Sequence, residues 1–209
     1  MTKEAAHLQW RIWSILGAAM IGLGGCGGSN DSNPFSNPPL VSNPAVTTGK
    51  KLSFAYFQRC IFPISVASLQ VNLNGVVSTN TCAGSGCHDN SSGTGGAFRV
   101  VPAAQPIDLA DPTNTPDAIR ATDMYKNFYS AQGEVVFDSP LQSRLLTKPL
   151  LLGVLHGGGL IFTSVQDSNV KLIEYWISHP MPQGQDEFSS AANNLFTPPD
   201  PKVGTCNTN

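Results

Sequence analysis

The sequence predicts a mainly α-helical domain with long loops, set behind a leader peptide and a flexible tether. Three observations predict it. Apolar residues recur at helical spacing in several short runs, with Ser, Thr or Asp before them and Pro at their margins. Glycine and proline are abundant, 20 and 16 of 209 residues, so turns and loops occupy much of the chain. The N-terminus has a charged start, a short apolar stretch and small residues before Cys26. The chain divides into a leader (1–25), a tether (26–50), a folded domain (51–181) and a polar, Pro-rich tail (182–209).

Lys3 and Arg11 precede an apolar stretch from Ile12 to Leu23, which ends on Leu23-Gly24-Gly25-Cys26. That stretch is too short and too rich in glycine to span a bilayer well. "LGGC" resembles the bacterial lipoprotein box, which implies acylation of Cys26, and Gly27 after it favours the outer membrane. Residues 27–50 repeat Ser-Asn-Pro three times and offer little apolar surface to bury, so a flexible tether is expected.

The folded part starts near Leu52. In "LSFAYFQRCIFPI", Leu52, Phe54, Phe57 and Ile61 share one helical face, and Pro63 is the expected stop. "QVNLNGVVST" reads as extended chain around an Asn74-Gly75 turn. "NSSGTGGAF" reads as a glycine-rich loop. "TPDAIRATDMYKNFYSA" has Thr115 as N-cap, Pro116 at the first helical position, and Ala121, Met124, Tyr125 and Phe128 on one face. Ser139-Pro140 opens a further helix that Pro149 stops. "SVQDSNVKLIEYWISHP" gives a last helix with an Asp167 or Ser168 cap and a Val170, Ile173, Trp176, Ile177 stripe.

The net charge is −2, with no basic run or stripe, so no nucleic-acid partner is expected. No serine or cysteine triad, paired-carboxylate site or phosphate loop is visible, so no bond-making chemistry is expected.

"TCAGSGCHDN" carries the chemistry. Covalent haem needs two thiols for two vinyl groups and an imidazole under the iron, and its usual signature is C-x-x-C-H. Here Ala83, Gly84, Ser85 and Gly86 lengthen the gap, and such small residues can bulge outward without moving Cys82 and Cys87 apart. The five cysteines then divide as Cys26 for lipid, Cys82 and Cys87 for haem, and Cys60 with Cys206 for a disulfide in an oxidising compartment. A Cys82–Cys87 disulfide beside an ordinary His88, or a metal ion such as zinc, are the alternatives at this point.

"FAYFQRCIFPI", "TCAGSGCHDNSSGTGGAFRV", "SRLLTKPLLLGVLHGGGLIF" and "VKLIEYWISHP" together resemble the planctomycete-type branch of cytochrome c domains, over roughly Leu52 to Pro180. The resemblance implies a small class I-like cytochrome c fold with one haem c, in which the first and last helices cross. It also implies His88 as the proximal iron ligand. The distal ligand of such domains precedes the last helix, which points to His156 in "LHGGG". A solvated turn histidine there, or ligation by Met181 or Met124, stays open, while His179 is expected to cap the last helix. Arg99, Arg144 and Lys148 lie in or beside the matching segments as possible propionate contacts.

The functional expectation is a lipid-anchored monohaem c-type cytochrome. It would pass single electrons to redox protein partners on the periplasmic face of the bacterial envelope, tied to the membrane by its lipid. Two alternatives remain: a haem enzyme or sensor with an open distal face, and a haem-free lipoprotein held by disulfides or zinc.

Overall fold

The computed structural model describes residues 49–209. The leader, Cys26 and nearly all of the tether lie outside the described residues, so the lipidation expectation is not addressed by the fold. Among the described residues, no helix is long and apolar enough to cross a membrane.

The first helix occupies 54–66 in three pieces: an α-turn Phe54–Tyr56, a π-helical stretch Phe57–Ile61, and an α segment Phe62–Val66. Ser53 caps it, its Oγ accepting the Tyr56 N–H at 3.0 Å. Pro63 does not end the helix, contrary to the sequence expectation. The Phe62 N–H reaches back five residues to the Phe57 carbonyl, and this widened turn makes room for the proline ring. Pro63 then sits in the first turn of the following α segment, where its missing N–H costs nothing.

A hairpin follows, Leu69–Leu73 antiparallel to Val76–Asn80, with Leu73 opposite Val76. Its turn residues Asn74 and Gly75 have φ of 54° and 86°, the pairing that type I′ turns require. Asn72 also exchanges backbone hydrogen bonds with Leu160, both 2.8 Å, so the loop after His156 is tied to the hairpin.

The helix expected across residues 115–131 is two helices, Pro116–Arg120 and Asp123–Gln132. Thr122 breaks and restarts it. Its hydroxyl donates to the Ile119 carbonyl at 2.7 Å and accepts the Tyr125 N–H at 3.2 Å. After Ser139 come a 3₁₀ turn, Pro140–Gln142, and a short helix, Arg144–Thr147. The closing helix, Ser168–Ser178, is capped by Asp167, which accepts the Asn169 N–H at 2.8 Å.

The first and closing helices pack directly. The Phe57 and Trp176 ring centroids are 5.5 Å apart, and the Trp176 indole N–H donates to the Ser53 carbonyl at 2.9 Å. Phe54, Phe57, Phe128 and Trp176 are almost wholly buried there. Each buried Phe contributes about 1.5–3 kcal/mol. Trp176→Ala would remove the centre of this cluster at a cost of about 3–5 kcal/mol.

The C-terminal segment does more than lie over the domain. It forms a 3₁₀ turn, Ser190–Leu195, and a two-stranded sheet, Phe196–Thr197 with Thr205–Cys206. Leu195 and Phe196 join the core. A Cys60–Cys206 disulfide joins the first helix to the last strand across 146 residues of chain.

Candidate functional site

The same helix packing sets the site. Ile61 and Ile64 from the end of the first helix and Ile173 from the closing helix form one wall of a cavity of about 450 Å³. That volume falls within the roughly 300–1,000 Å³ of small-molecule and cofactor pockets. Leu69 and Val71 of the hairpin and Ile161 and Phe162 after His156 add to its apolar lining. Cys82, Cys87, His88 and His156 all open onto it.

The segment from Cys82 to His88 is a closed loop. The His88 N–H donates to the Cys82 carbonyl at 2.9 Å, and the Cys87 N–H donates to the Gly84 carbonyl at 2.9 Å. Gly86, with φ of 80°, takes the bulge that the longer cysteine spacing requires. Thr94 Oγ1 donates to the Gly86 carbonyl at 2.8 Å, so the glycine-rich loop braces the bulge. Cys82 and Cys87 are both free thiols. Burial pushes the Cys82 thiol up to about 11, with Cys87 beside it adding to the shift, so its sulfur is protonated at neutral pH.

Both histidines are oriented by the main chain. His88 Nδ1 lies 3.1 Å from the Phe98 carbonyl oxygen, and His156 Nδ1 lies 2.7 Å from the Gly159 carbonyl oxygen. A carbonyl only accepts, so each Nδ1 carries the proton and each Nε2 keeps its lone pair. Burial lowers the His88 pKa, and electrostatic interaction with His156, Lys148 and Arg99 acts the same way. The Phe98 hydrogen bond opposes them without reversing the shift. The neutral, ligand-ready imidazole is therefore the favoured form.

The two rings face each other with centroids 6.3 Å apart and planes 15° from parallel. This is too wide for direct stacking. An imidazole centroid lies roughly 3.2 Å from a metal bound at a ring nitrogen, given metal–nitrogen bonds of about 2.0–2.1 Å. Two such rings on opposite sides of one ion therefore span about the distance seen. Among the described residues, no group of three or more His, Cys, Asp or Glu is gathered closely enough to hold a bare metal ion. Two imidazoles at this spacing, a largely apolar cavity that both line and two thiols in its wall fit an iron whose other four ligands come from a planar tetrapyrrole.

Arg144 and Lys148 line the cavity and can meet a propionate. Arg99 is not part of that lining, although its charge acts on His88. Phe98 lines the cavity. The Arg99 N–H donates to Ser130 Oγ at 2.6 Å, and its Nη1 is buried without a partner among the described residues. Met124 and Met181 are buried in the core and are not part of the lining. His179 caps the closing helix, its Nδ1 donating to the Tyr175 carbonyl at 2.8 Å.

Sequence reasoning missed Gly95, Phe98 and Glu134. Gly95 packs on the His88 ring, Phe98 supplies both the carbonyl for Nδ1 and a ring 4.8 Å from His88, and Glu134 stands in the lining with Arg144 and Lys148. The run Gly93–Gly96 was the only available signal.

Comparison of this chain with family models finds no match, and no curated protein and no solved structure matches it.

Proposed function

We propose that this chain is a monohaem c-type cytochrome of class I-like fold that carries single electrons. The observation that carries the reading is the pair of Nδ1-anchored imidazoles, His88 and His156, with centroids 6.3 Å apart in the lining of a largely apolar cavity that two free thiols also border. Haem, when bound, supplies one iron that alternates between ferrous and ferric states.

The chain's own residues do the rest. Cys82 and Cys87 would hold the haem, each by one thioether formed when its S–H adds across a vinyl group, sulfur to one carbon and hydrogen to the other. His88 and His156 would hold the iron by their imidazoles, and ligation by both would favour electron transfer over catalysis. Bis-imidazole ligation sets a lower potential than an imidazole–thioether pair. The isoleucine, leucine and phenylalanine lining excludes water, while Arg144 and Lys148 offset the propionate charge. The packing of Phe57 on Trp176 supports a fold in which the first and last helices cross.

The setting proposed is the bacterial envelope, with Cys26 as a lipid anchor on the periplasmic face and the outer membrane favoured. Redox proteins there are the proposed partners. The Cys60–Cys206 disulfide supports an oxidising compartment, since such bonds are rare in reducing ones.

The test is an absorption spectrum of oxidised and reduced protein made in a host with haem-attachment machinery. A sharp reduced α-band that survives acid–acetone extraction is expected. A colourless protein would sink the reading.

A further inference from the structure

We infer that Gly95 and Gly158 are positioning residues that hold the two imidazole planes near parallel, an inference that rests on the haem reading above. A methyl group at residue 95 would stand 2.7 Å from both Nδ1 and Cε1 of His88, and 2.7 Å from the Cys87 carbonyl oxygen. Two of those atoms belong to a ring fixed by its bond to Phe98, and the third is backbone, so none can yield cheaply. A methyl group at residue 158 would stand 3.1 Å from Cε1 and 3.4 Å from Nε2 of His156, a milder conflict.

The two rings are thus held in the same way. In each case a nearby carbonyl accepts the Nδ1–H hydrogen bond, and a glycine on the same loop leaves room for the ring against bare backbone. One loop follows Cys87 and the other follows His156, and the second is tied to the hairpin through Asn72 and Leu160. With both rings fixed independently, their 15° interplanar angle is set by the chain before any ligand bond forms.

Ring orientation has a consequence in the ferric state. Parallel axial imidazoles donate into the same iron d orbital and split it from its partner, giving a rhombic low-spin electron paramagnetic resonance signal. Crossed rings leave the two orbitals nearly degenerate and give a signal dominated by one very large g value.

The experiment records that signal for the full ferric protein and for Gly95→Ala, Gly158→Ala and Ser91→Ala. Ser91 belongs to the same loop as Gly95, and its exposed side chain makes no hydrogen bond. The wild type is expected to be rhombic, and Ser91→Ala to superimpose on it. Gly158→Ala should shift the largest g value slightly, and Gly95→Ala should shift it most or turn part of the signal high-spin. A crossed-ring signal from the wild type overturns the inference, as does a Gly95→Ala spectrum identical to wild type. If Gly95→Ala does not retain haem, Gly158→Ala against Ser91→Ala decides: identical spectra overturn the inference. A colourless wild type removes the haem reading itself, whereas a low-spin protein with crossed rings removes only the claim about orientation.

Discussion

His88 and His156 face each other across the cavity with centroids 6.3 Å apart and planes 15° from parallel, each anchored by Nδ1 to a main-chain carbonyl. His88 comes from the cysteine loop and His156 from a turn 68 positions later in the chain, so the pairing is a product of the fold. Backbone bonds from the loop after His156 to Asn72 of the hairpin and to Pro149 hold the second ring near the first.

His156→Ala is expected to convert a six-coordinate low-spin ferric protein into a five-coordinate high-spin one, with nearly complete loss of the low-spin bands. The freed face should then bind added imidazole and recover the original spectrum. His156→Met should instead raise the reduction potential, because a thioether favours the ferrous state. Absorption spectra and a redox titration check both, and an unchanged spectrum for His156→Ala would remove this residue as ligand.

Cys82→Ala and Cys87→Ala are each expected to keep haem by one thioether. An unreacted vinyl group stays conjugated with the macrocycle, so each single variant should show a reduced α-band at longer wavelength. The double variant should lose all colour to acid–acetone. Mass spectrometry of the intact chains checks the linkage, and a single variant with an unshifted band would mean that its thiol forms no bond in the wild type.

Much of this architecture is legible in the residues, and the rest fails for identifiable reasons. Thr115 with Pro116 and Asp167 mark helix starts because capping is a local hydrogen bond. Pro63 misleads because a π-helical turn upstream absorbs its ring, which no local pattern announces. Thr122 splits a helix whose apolar spacing reads as continuous, since its hydroxyl competes for backbone groups. The tail looks too polar to matter, yet Leu195 and Phe196 are buried where the Cys206 disulfide holds them against the first helix. At the site, the thiols and imidazoles are legible because the chemistry needs those side chains. Gly95 and Phe98 are not, because one acts through the lack of a side chain and the other partly through a carbonyl that every residue has.

Cys206→Ser should cost about 2–5 kcal/mol of stability, the range for disulfides that close long loops. The bond spans 146 residues, so its loss frees most of the described chain in the unfolded state. Urea unfolding under non-reducing conditions checks it. Cys60 neighbours Ile61, which lines the cavity, but the cavity's wall is also held by Ile64 and Ile173. The variant should therefore keep its low-spin spectrum while unfolding at lower urea. A variant as stable as wild type would show that the tail is held by packing alone.

Glu187 gives the fold an acid limit. Its side chain is almost wholly buried, and it accepts hydrogen bonds from Tyr125 Oη at 2.8 Å and from Arg120 Nε and Nη2, both at 3.1 Å. Burial by itself would raise its pKa. The hydrogen bonds from its own backbone, Tyr125 and Arg120, together with the Arg120 charge, outweigh burial and bring it below the usual carboxylate value. A carboxylate depressed in the folded state adds stability that is fully present above its unfolded pKa, about 4.3. That stability fades as pH falls from there through the lower folded value. Glu187→Gln is expected to lose about 1–3 kcal/mol at neutral pH, a figure tempered by the partial exposure of Arg120. The loss should shrink as pH falls from about 4.3 through the lower folded value, because the wild type progressively loses the same charge. Urea midpoints for both proteins from pH 3 to pH 7 check the sign, and a difference that stays constant over that range would show that the Glu187 charge contributes nothing to the fold.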